Sequence, residues 1–137
     1  MILYIKPSFE GITVYKNKDR IIFKGSIQKY LNVLLTPWLT TFKGRVEYLK
    51  KQSGFKRNIP WYIDHKTCFI TTENIRTLEG EILNVCAIYK IEATHKNQTK
   101  IIFTNLESIV INKKFSTVKN RVAKAQQLCK DVKNNFE

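Results

Sequence analysis

Two short runs of β-forming residues, KIIFT at residues 100–104 and SIVIN at residues 108–112, are separated by only three residues. Because so short a connection joins strands that run in opposite directions, the two runs predict an antiparallel pair. The longer run ILNVCAIYKI at residues 82–91 precedes them across the polar turn HKNQ at residues 95–98. We therefore predict an antiparallel meander, as an open sheet or a half-barrel, at the centre of the fold.

Further β-signals lie towards the N-terminus. Residues 61–64 and 68–71 are short apolar and aromatic runs that predict two more strands. GITVYK at residues 11–16 is followed by the polar residues 17–19 and by RIIFK at residues 20–24. This arrangement predicts a β-hairpin.

Two stretches have the apolar spacing of helices. Ser26 is a good N-cap for a short helix whose apolar residues recur three and four positions apart and which Pro37 ends. Near the end of the chain, Ser116 can cap a helix with a similar apolar stripe from Val118 to Phe136. We predict a single α+β domain over residues 1–137, with a short inner helix and a C-terminal helix packed on the antiparallel sheet.

Residues 40–58 show little periodicity and contain Gly44 and Gly54. This composition predicts a basic loop, or a poor strand with loops at each end. Gly44 beside Arg45 would allow the backbone to approach a phosphate closely.

Charge is the strongest compositional signal. The chain carries 24 Lys and Arg against 11 Asp and Glu, for a formal net charge of +13. Such a charge destabilises the compact state through self-repulsion, and a polyanionic partner offsets that cost. Thirteen of the basic residues lie in two blocks, residues 43–57 and 113–133, whereas residues 58–92 are slightly acidic. We expect the two blocks to form the binding surface.

Several classes of protein find no support in the sequence. The cysteines Cys68, Cys86 and Cys129 are far apart and His65 and His95 have no ligand-spaced partner, so neither a disulfide framework nor a metal site is expected. No phosphate-binding loop, dinucleotide motif or nucleophile elbow occurs, so we expect no cofactor and no enzymatic activity. Without an apolar run of eighteen residues or a signal peptide, the chain is expected to be cytoplasmic and not membrane-bound.

Several local motifs, in order along the chain, carry a resemblance to a known family. They are Gly44-Arg45, Asn58-Ile59-Pro60, Cys68-Phe69-Ile70-Thr71, the stretch from Ile101 to Ser108, and Phe115-Ser116-Thr117. Over roughly residues 10–128 the chain resembles the ComK family of bacterial competence transcription factors. It departs from the family pattern at two places. The family's Pro-Pro or Pro-Ile pair appears as Ile59-Pro60-Trp61, and the aromatic-Pro-Thr strand end appears as Ile70-Thr71-Thr72, which has no proline.

The resemblance implies a transcription activator that binds AT-rich boxes in double-stranded DNA and assembles as a homo-oligomer on it, associated with the nucleoid. Matched by position, Lys43, Gly44 and Arg45 fall in the family's basic Gly-Arg segment, and Ser116, Asn120 and Arg121 in the helix after the last strand. The chain ends at Glu137, before the tail that longer members use for regulated proteolysis, so an adaptor or protease partner is left open.

The two basic blocks supply the candidate DNA-binding residues. They are Lys43, Arg45, Lys50, Lys51, Lys56 and Arg57 in the first block, and Lys113, Lys114, Lys119, Arg121 and Lys124 in the second. Lysines would give sequence-independent affinity through counterion release. Arginines entering a narrow A-tract minor groove would give the preference for AT-rich sites, with Arg45, Arg57 and Arg121 as the candidates.

Other partners fit the same charge. An RNA-binding module would stack bases on aromatic residues in or near the first block, such as Tyr48, Phe55, Trp61 or Tyr62. A small basic module closed by a C-terminal helix could instead bind an anionic lipid surface. A nuclease is the one enzymatic alternative, and its nearest carboxylates, Asp64, Glu79 and Glu81, are better explained as solvated turns.

Overall fold

A computed structural model describes residues 1–53, 59–72 and 80–136, and for residues 52, 53 and 133–136 it describes the backbone alone. The regular elements in these ranges are β1 (Ile2–Ser8), β2 (Gly11–Lys16), β3 (Asp19–Phe23), α1 (Ile27–Leu35), α2 (Phe42–Ser53), β4 (Trp61–Asp64), β5 (Thr67–Thr71), β6 (Ile82–Asn84), β7 (Ile88–His95), β8 (Gln98–Phe103), β9 (Ser108–Ile111) and α3 (Phe115–Phe136). The predicted α+β class, with an antiparallel sheet and a C-terminal helix, is confirmed.

The larger sheet has six antiparallel strands in the order β3-β2-β1-β6-β5-β4. The hairpin predicted over residues 11–24 is confirmed as β2 and β3, with Val14 opposite Ile21. Strand β1, to which the sequence analysis assigned no element, lies between this hairpin and β6. Its pairs Tyr4 with Leu83 and Ile5 with Ile82 join the start of the chain to its middle.

The smaller sheet is the meander β7-β8-β9. The prediction of one continuous strand over residues 82–91 is wrong, because a 3₁₀ turn at Val85–Ala87 separates β6 from β7. The Asn84 side chain bonds back to the amide of Cys86 at 3.2 Å, which bends the chain out of the first sheet. The strands predicted to form one meander are therefore divided between two open sheets.

Successive residues of the larger sheet alternate between two cores, since neighbouring side chains of a strand point to opposite faces. One face packs on α1, and this α1-side core includes Ile5, Val14, Leu31, Leu35, Phe69 and Ile82. The other face packs on α3 and the smaller sheet, and this α3-side core includes Cys68, Leu83, Ile101, Phe103, Val122 and Ala125. The predicted packing of both helices on the sheet is confirmed.

Residues 42–53 form helix α2, so the predicted basic loop or poor strand over residues 40–58 is wrong for this part. The Thr41 hydroxyl caps the helix by accepting from the Gly44 amide at 3.2 Å. Phe42 and Val46 pack against the α1-side core and Leu49 is buried in the α3-side core. These three residues follow helical spacing, but the charged and polar residues and the glycine between them weaken the pattern.

The helix ends follow their caps. Ser26 accepts from the Lys29 amide at 3.2 Å, which confirms it as the N-cap of α1, and α1 ends two residues before Pro37 as predicted. Ser116 is not the N-cap of α3, because that helix already begins at Phe115. The Val118 amide donates to the Lys114 carbonyl at 3.1 Å, which places the start of the helix two residues earlier than predicted.

Replacing Asn84 by alanine should lower the free energy of unfolding by about 3 kcal/mol or more, because its buried side chain bonds to four backbone groups, those of Ile2, Lys66, Cys68 and Cys86, which would lose their partner. Chemical denaturation of the two proteins measures this difference. Asn112→Ala is the matched control, since Asn112 is exposed and bonds only to Gln98 among the described contacts, so its effect should stay within about 0.5 kcal/mol. A cost below about 1 kcal/mol for Asn84→Ala would contradict the role of this side chain.

Candidate nucleic-acid interface

Helix α2 carries the first basic block. Its Lys43, Lys50 and Lys51 side chains are exposed to solvent, while Leu49 is buried beneath them. Lys56 and Arg57 lie outside the described residues. The structure therefore places the described cations of this block on α2, at the β4 edge of the larger sheet.

Arg45 differs from the lysines of α2 because it is half-buried against β4. Its guanidinium carbon lies 5.9 Å from the centre of the Tyr62 ring, and Nη2 donates to the Ile63 carbonyl at 3.5 Å. Within the described part of the chain Nε is buried without a hydrogen-bond partner. Desolvation by burial lowers the pKa of Arg45, although Tyr62 and Asp64 oppose the shift. The side chain is thus held in place by the fold.

The second basic block leads into α3. Lys114, Lys119 and Lys124 are exposed, and Lys113 is half-buried at the end of the connection from β9. The Lys113 carbonyl accepts from the buried Thr99 side chain at 2.8 Å, which fixes the backbone where the helix begins. The Lys119 ammonium lies 5.7 Å from the centre of the Phe115 ring.

Arg121 is also anchored. Its Nη1 donates to the Thr71 carbonyl at 2.9 Å and to the Thr72 carbonyl at 3.3 Å. These carbonyls lie at the end of β5, so the arginine ties α3 to the larger sheet. A guanidinium has five N–H donors, and these two bonds use only the donors on Nη1.

The two helices reach one core from different directions. Leu49 of α2 and Val122 of α3 belong to the same α3-side core. Tyr62, which contacts Arg45, is paired across strands with Cys68, and the Cys68 thiol is within hydrogen-bonding reach of the Cys129 thiol of α3. Only β4 and β5 therefore separate α2 from α3 along this path.

Three cysteines that are distant in sequence meet in the α3-side core. Cys68 lies on β5, Cys86 in the 3₁₀ turn and Cys129 on α3, and all three are free thiols. Hydrogen bonding to Cys68 raises the pKa of Cys129 to about 12, while hydrogen bonding to Cys129 and burial raise the pKa of Cys86. No group of three His, Cys, Asp or Glu residues within the described ranges has the geometry to hold a metal ion. The wide separation of the three cysteines along the chain gave no sign that they would meet.

Among the described residues, no helix has the length and apolar character needed to span a membrane.

From α2 onwards, the described chain runs through a basic helix, paired strands, the meander and a basic closing helix. A sequence model of the ComK protein family matches residues 3–137. The chain belongs to the ComK family. The match covers more of the chain than the local motifs did, and it confirms the resemblance that they indicated. Searches against curated proteins and against solved structures find no match.

Membership assigns a broad role. ComK is a family of competence transcription factors, so the protein is assigned to transcription regulation and not to an enzyme class. A transcription-factor family implies DNA as a partner, and phosphate contacts supply much of the affinity of such proteins.

The thiol cluster should be unreactive in the folded protein. Because the thiolate is the nucleophile and the pKa of Cys129 is raised to about 12, alkylation by iodoacetamide at pH 8 should be at least about 100-fold slower than in the unfolded chain. The rate for the folded protein should keep rising with pH above 9 instead of levelling off. Mass spectrometry of timed samples measures it, and rapid labelling of Cys129 at pH 8 in the folded state would contradict the cluster.

Proposed function

We propose that this ComK-family chain is a sequence-selective DNA-binding transcription factor of the competence type that grips AT-rich duplex DNA through its two basic segments. In this proposal residues 1–137 act as one DNA-binding domain in the cytoplasm, associated with the nucleoid. The observation that carries it is the display of exposed lysines on two helices of a chain with a net charge of +13. Few carboxylates are available to neutralise them, so a polyanion is the favoured partner.

Each segment contributes lysines to the DNA backbone. We assign Lys43, Lys50, Lys51 and Lys56 in the first segment, and Lys113, Lys114, Lys119 and Lys124 in the second, to phosphate contacts. The exposed ammonium groups of Lys43, Lys50, Lys51, Lys114, Lys119 and Lys124 suit contacts that are independent of sequence. Each neutralised phosphate contributes a slope of about −0.9 to the dependence of log affinity on log salt concentration.

The arginines are assigned to the preference for AT-rich sequence. Arg45, Arg57 and Arg121 would enter the minor groove, where an A-tract has its most negative potential. The anchoring of Arg45 on Ile63 and of Arg121 on Thr71 supports this role, because a guanidinium that is already ordered loses less entropy on binding. In this role, the N–H groups of Arg45 and Arg121 that do not bond to these carbonyls would contact the minor groove.

Oligomer assembly on DNA is part of the proposal. The family resemblance implies a homo-oligomer, in which several copies of the two basic segments bind adjacent boxes. Mobility-shift titration on DNA with one and with two boxes would show a cooperative increase in affinity if the copies assemble. An adaptor or protease partner is not part of the proposal.

Substitution of the two residue types should separate affinity from specificity. Lys50→Ala should weaken binding to AT-box and GC-rich duplexes alike and reduce the salt slope by about 0.9, because it removes one phosphate contact. Arg45→Ala should reduce the ratio of AT to GC affinity more than Lys50→Ala does. Mobility-shift titrations at two salt concentrations measure both effects, and the reverse order would overturn the assignment.

Two controls accompany this experiment. Arg45→Lys keeps the charge but removes the planar donor fork, so it should also lose part of the AT preference while circular dichroism shows a folded protein. Competition by single-stranded RNA or by anionic vesicles that exceeds competition by AT-rich duplex would favour the RNA- or lipid-binding alternative. Equal affinity of the unaltered protein for AT-rich and GC-rich duplexes would remove the specificity claim.

A further inference from the structure

A cleft beside the β2–β3 turn lies outside both basic blocks. It has a volume of about 360 Å³ and is lined by Tyr15, Lys16, Lys18, Asp19, Arg20 and Glu107. Five of these residues belong to the hairpin, and Glu107 comes from the turn between β8 and β9. The lining therefore combines one aromatic ring, three cations and two carboxylates.

The aromatic ring ends a column that begins in the core. Phe103, which is fully buried, stacks on Tyr4 with ring centres 5.5 Å apart, and Tyr4 stacks on Tyr15 with centres 4.4 Å apart. The interplanar angles are 10° and 8°, so the three rings are nearly parallel. Tyr4 covers one face of the Tyr15 ring, and Tyr15 is half-exposed where it lines the cleft. The column presents a rigid, pre-ordered platform for a further flat ring.

Within the described residues, the three cations of the cleft are not ion-paired with its two carboxylates. Across the described ranges, Lys16, Lys18 and Arg20 form no ion pair, although Asp19 and Glu107 lie nearby. The Asp19 carboxylate accepts from the Arg20 amide at 2.7 Å, which supports the backbone of the turn. Three positive charges beside an aromatic platform suit a ligand that has both a phosphate and a ring.

The walls of the cleft are fixed relative to each other. The Asn105 amide donates to the Asn17 side-chain oxygen at 3.1 Å, which joins the hairpin turn to the β8–β9 turn. Lys18 has a φ of 60°, a left-handed conformation that costs a non-glycine residue roughly 1–2 kcal/mol. Glycine would suit this position better, so Lys18 occupies it at a cost to stability.

We propose that this cleft binds a nucleotide with an unpaired base, whose ring stacks on Tyr15 and whose phosphate is held by Lys16, Lys18 and Arg20. The carboxylates of Asp19 and Glu107 would accept hydrogen bonds from base amino groups or sugar hydroxyls. The ligand is either a free nucleotide or one unit of a single strand, and both offer the same chemistry. The site is separate from the duplex-binding segments of α2 and α3, and it does not depend on their assignment.

Calorimetric titration with matched ligands tests the site. Adenosine monophosphate should bind at least about fivefold more tightly than adenosine or ribose 5-phosphate, because each of these lacks one of the two recognised groups. A five-residue deoxyadenosine strand is titrated in parallel. Tighter binding of the strand identifies a strand as the source of the ligand, and equal or weaker binding identifies the free nucleotide. Equal binding of all the small ligands, or no binding of the nucleotide and the strand, overturns the proposal.

Variants locate the binding within the hairpin. Lys18→Gly removes a cation while relieving the strained backbone, so a loss of affinity cannot be ascribed to unfolding, and Arg20→Ala acts on an exposed side chain. Each should weaken nucleotide binding by about fivefold or more. Tyr15→Leu should do the same, whereas Tyr15→Phe should retain binding.

The matched control is Lys29→Ala, since Lys29 is an exposed lysine on α1, at the opposite face of the sheet. It should leave the affinity unchanged, and an equal loss in this variant would show that only net charge matters. AT-duplex binding by the same proteins is measured separately. Loss of nucleotide binding with intact duplex binding supports the cleft, while an absence of duplex preference in the unaltered protein bears on the proposed function alone.

Discussion

The fold depends on the buried amide of Asn84, whose exposed fraction is 0%. Its Nδ2 donates to the Ile2 carbonyl at 2.7 Å and to the Lys66 carbonyl at 3.1 Å. Its Oδ1 accepts from the amides of Cys68 at 3.0 Å and Cys86 at 3.2 Å. All four hydrogen-bonding positions of the side chain are used, which a buried amide requires to avoid a large desolvation cost. One residue thus joins β1, the β4–β5 hairpin and the turn between the two sheets.

This network explains why the chain leaves the first sheet where it does. Ile82 points into the α1-side core and Leu83 into the α3-side core, as expected of a central strand. At the next position, bonding to Cys86 turns the chain, and β7 starts a second layer over the α3-side core. The platform for α3 and the position of the basic closing helix follow from that turn.

Local patterns were enough to predict the hairpin of β2 and β3, helix α1 with its Ser26 cap, and the apolar stripe of α3. Each of these depends on residues close in sequence. The pairing of β1 with β6 could not be predicted, because it joins residues almost 80 positions apart through ladder bonds that any strand can make. Helix α2 was missed for a different reason. Its three core residues have helical spacing, but the charged and polar residues and the glycine among them leave an apolar stripe too short and weak to be recognised as a helix.

The candidate site, like the fold, could be predicted from the sequence only in part. The sequence indicates where positive charge is concentrated, but not which cations the fold orders. Arg45 and Arg121 are both anchored on strand carbonyls, whereas the lysines on the same helices whose side chains the structure describes are exposed. This difference follows from chemistry, since a planar guanidinium can bridge carbonyls and rest on an aromatic ring, while an ammonium group keeps its water more readily. In the proposed DNA-binding role, the mobile charges would tolerate any phosphate spacing and the fixed donors would favour one groove geometry. Affinity and selectivity would then be altered by separate residues of the same helix.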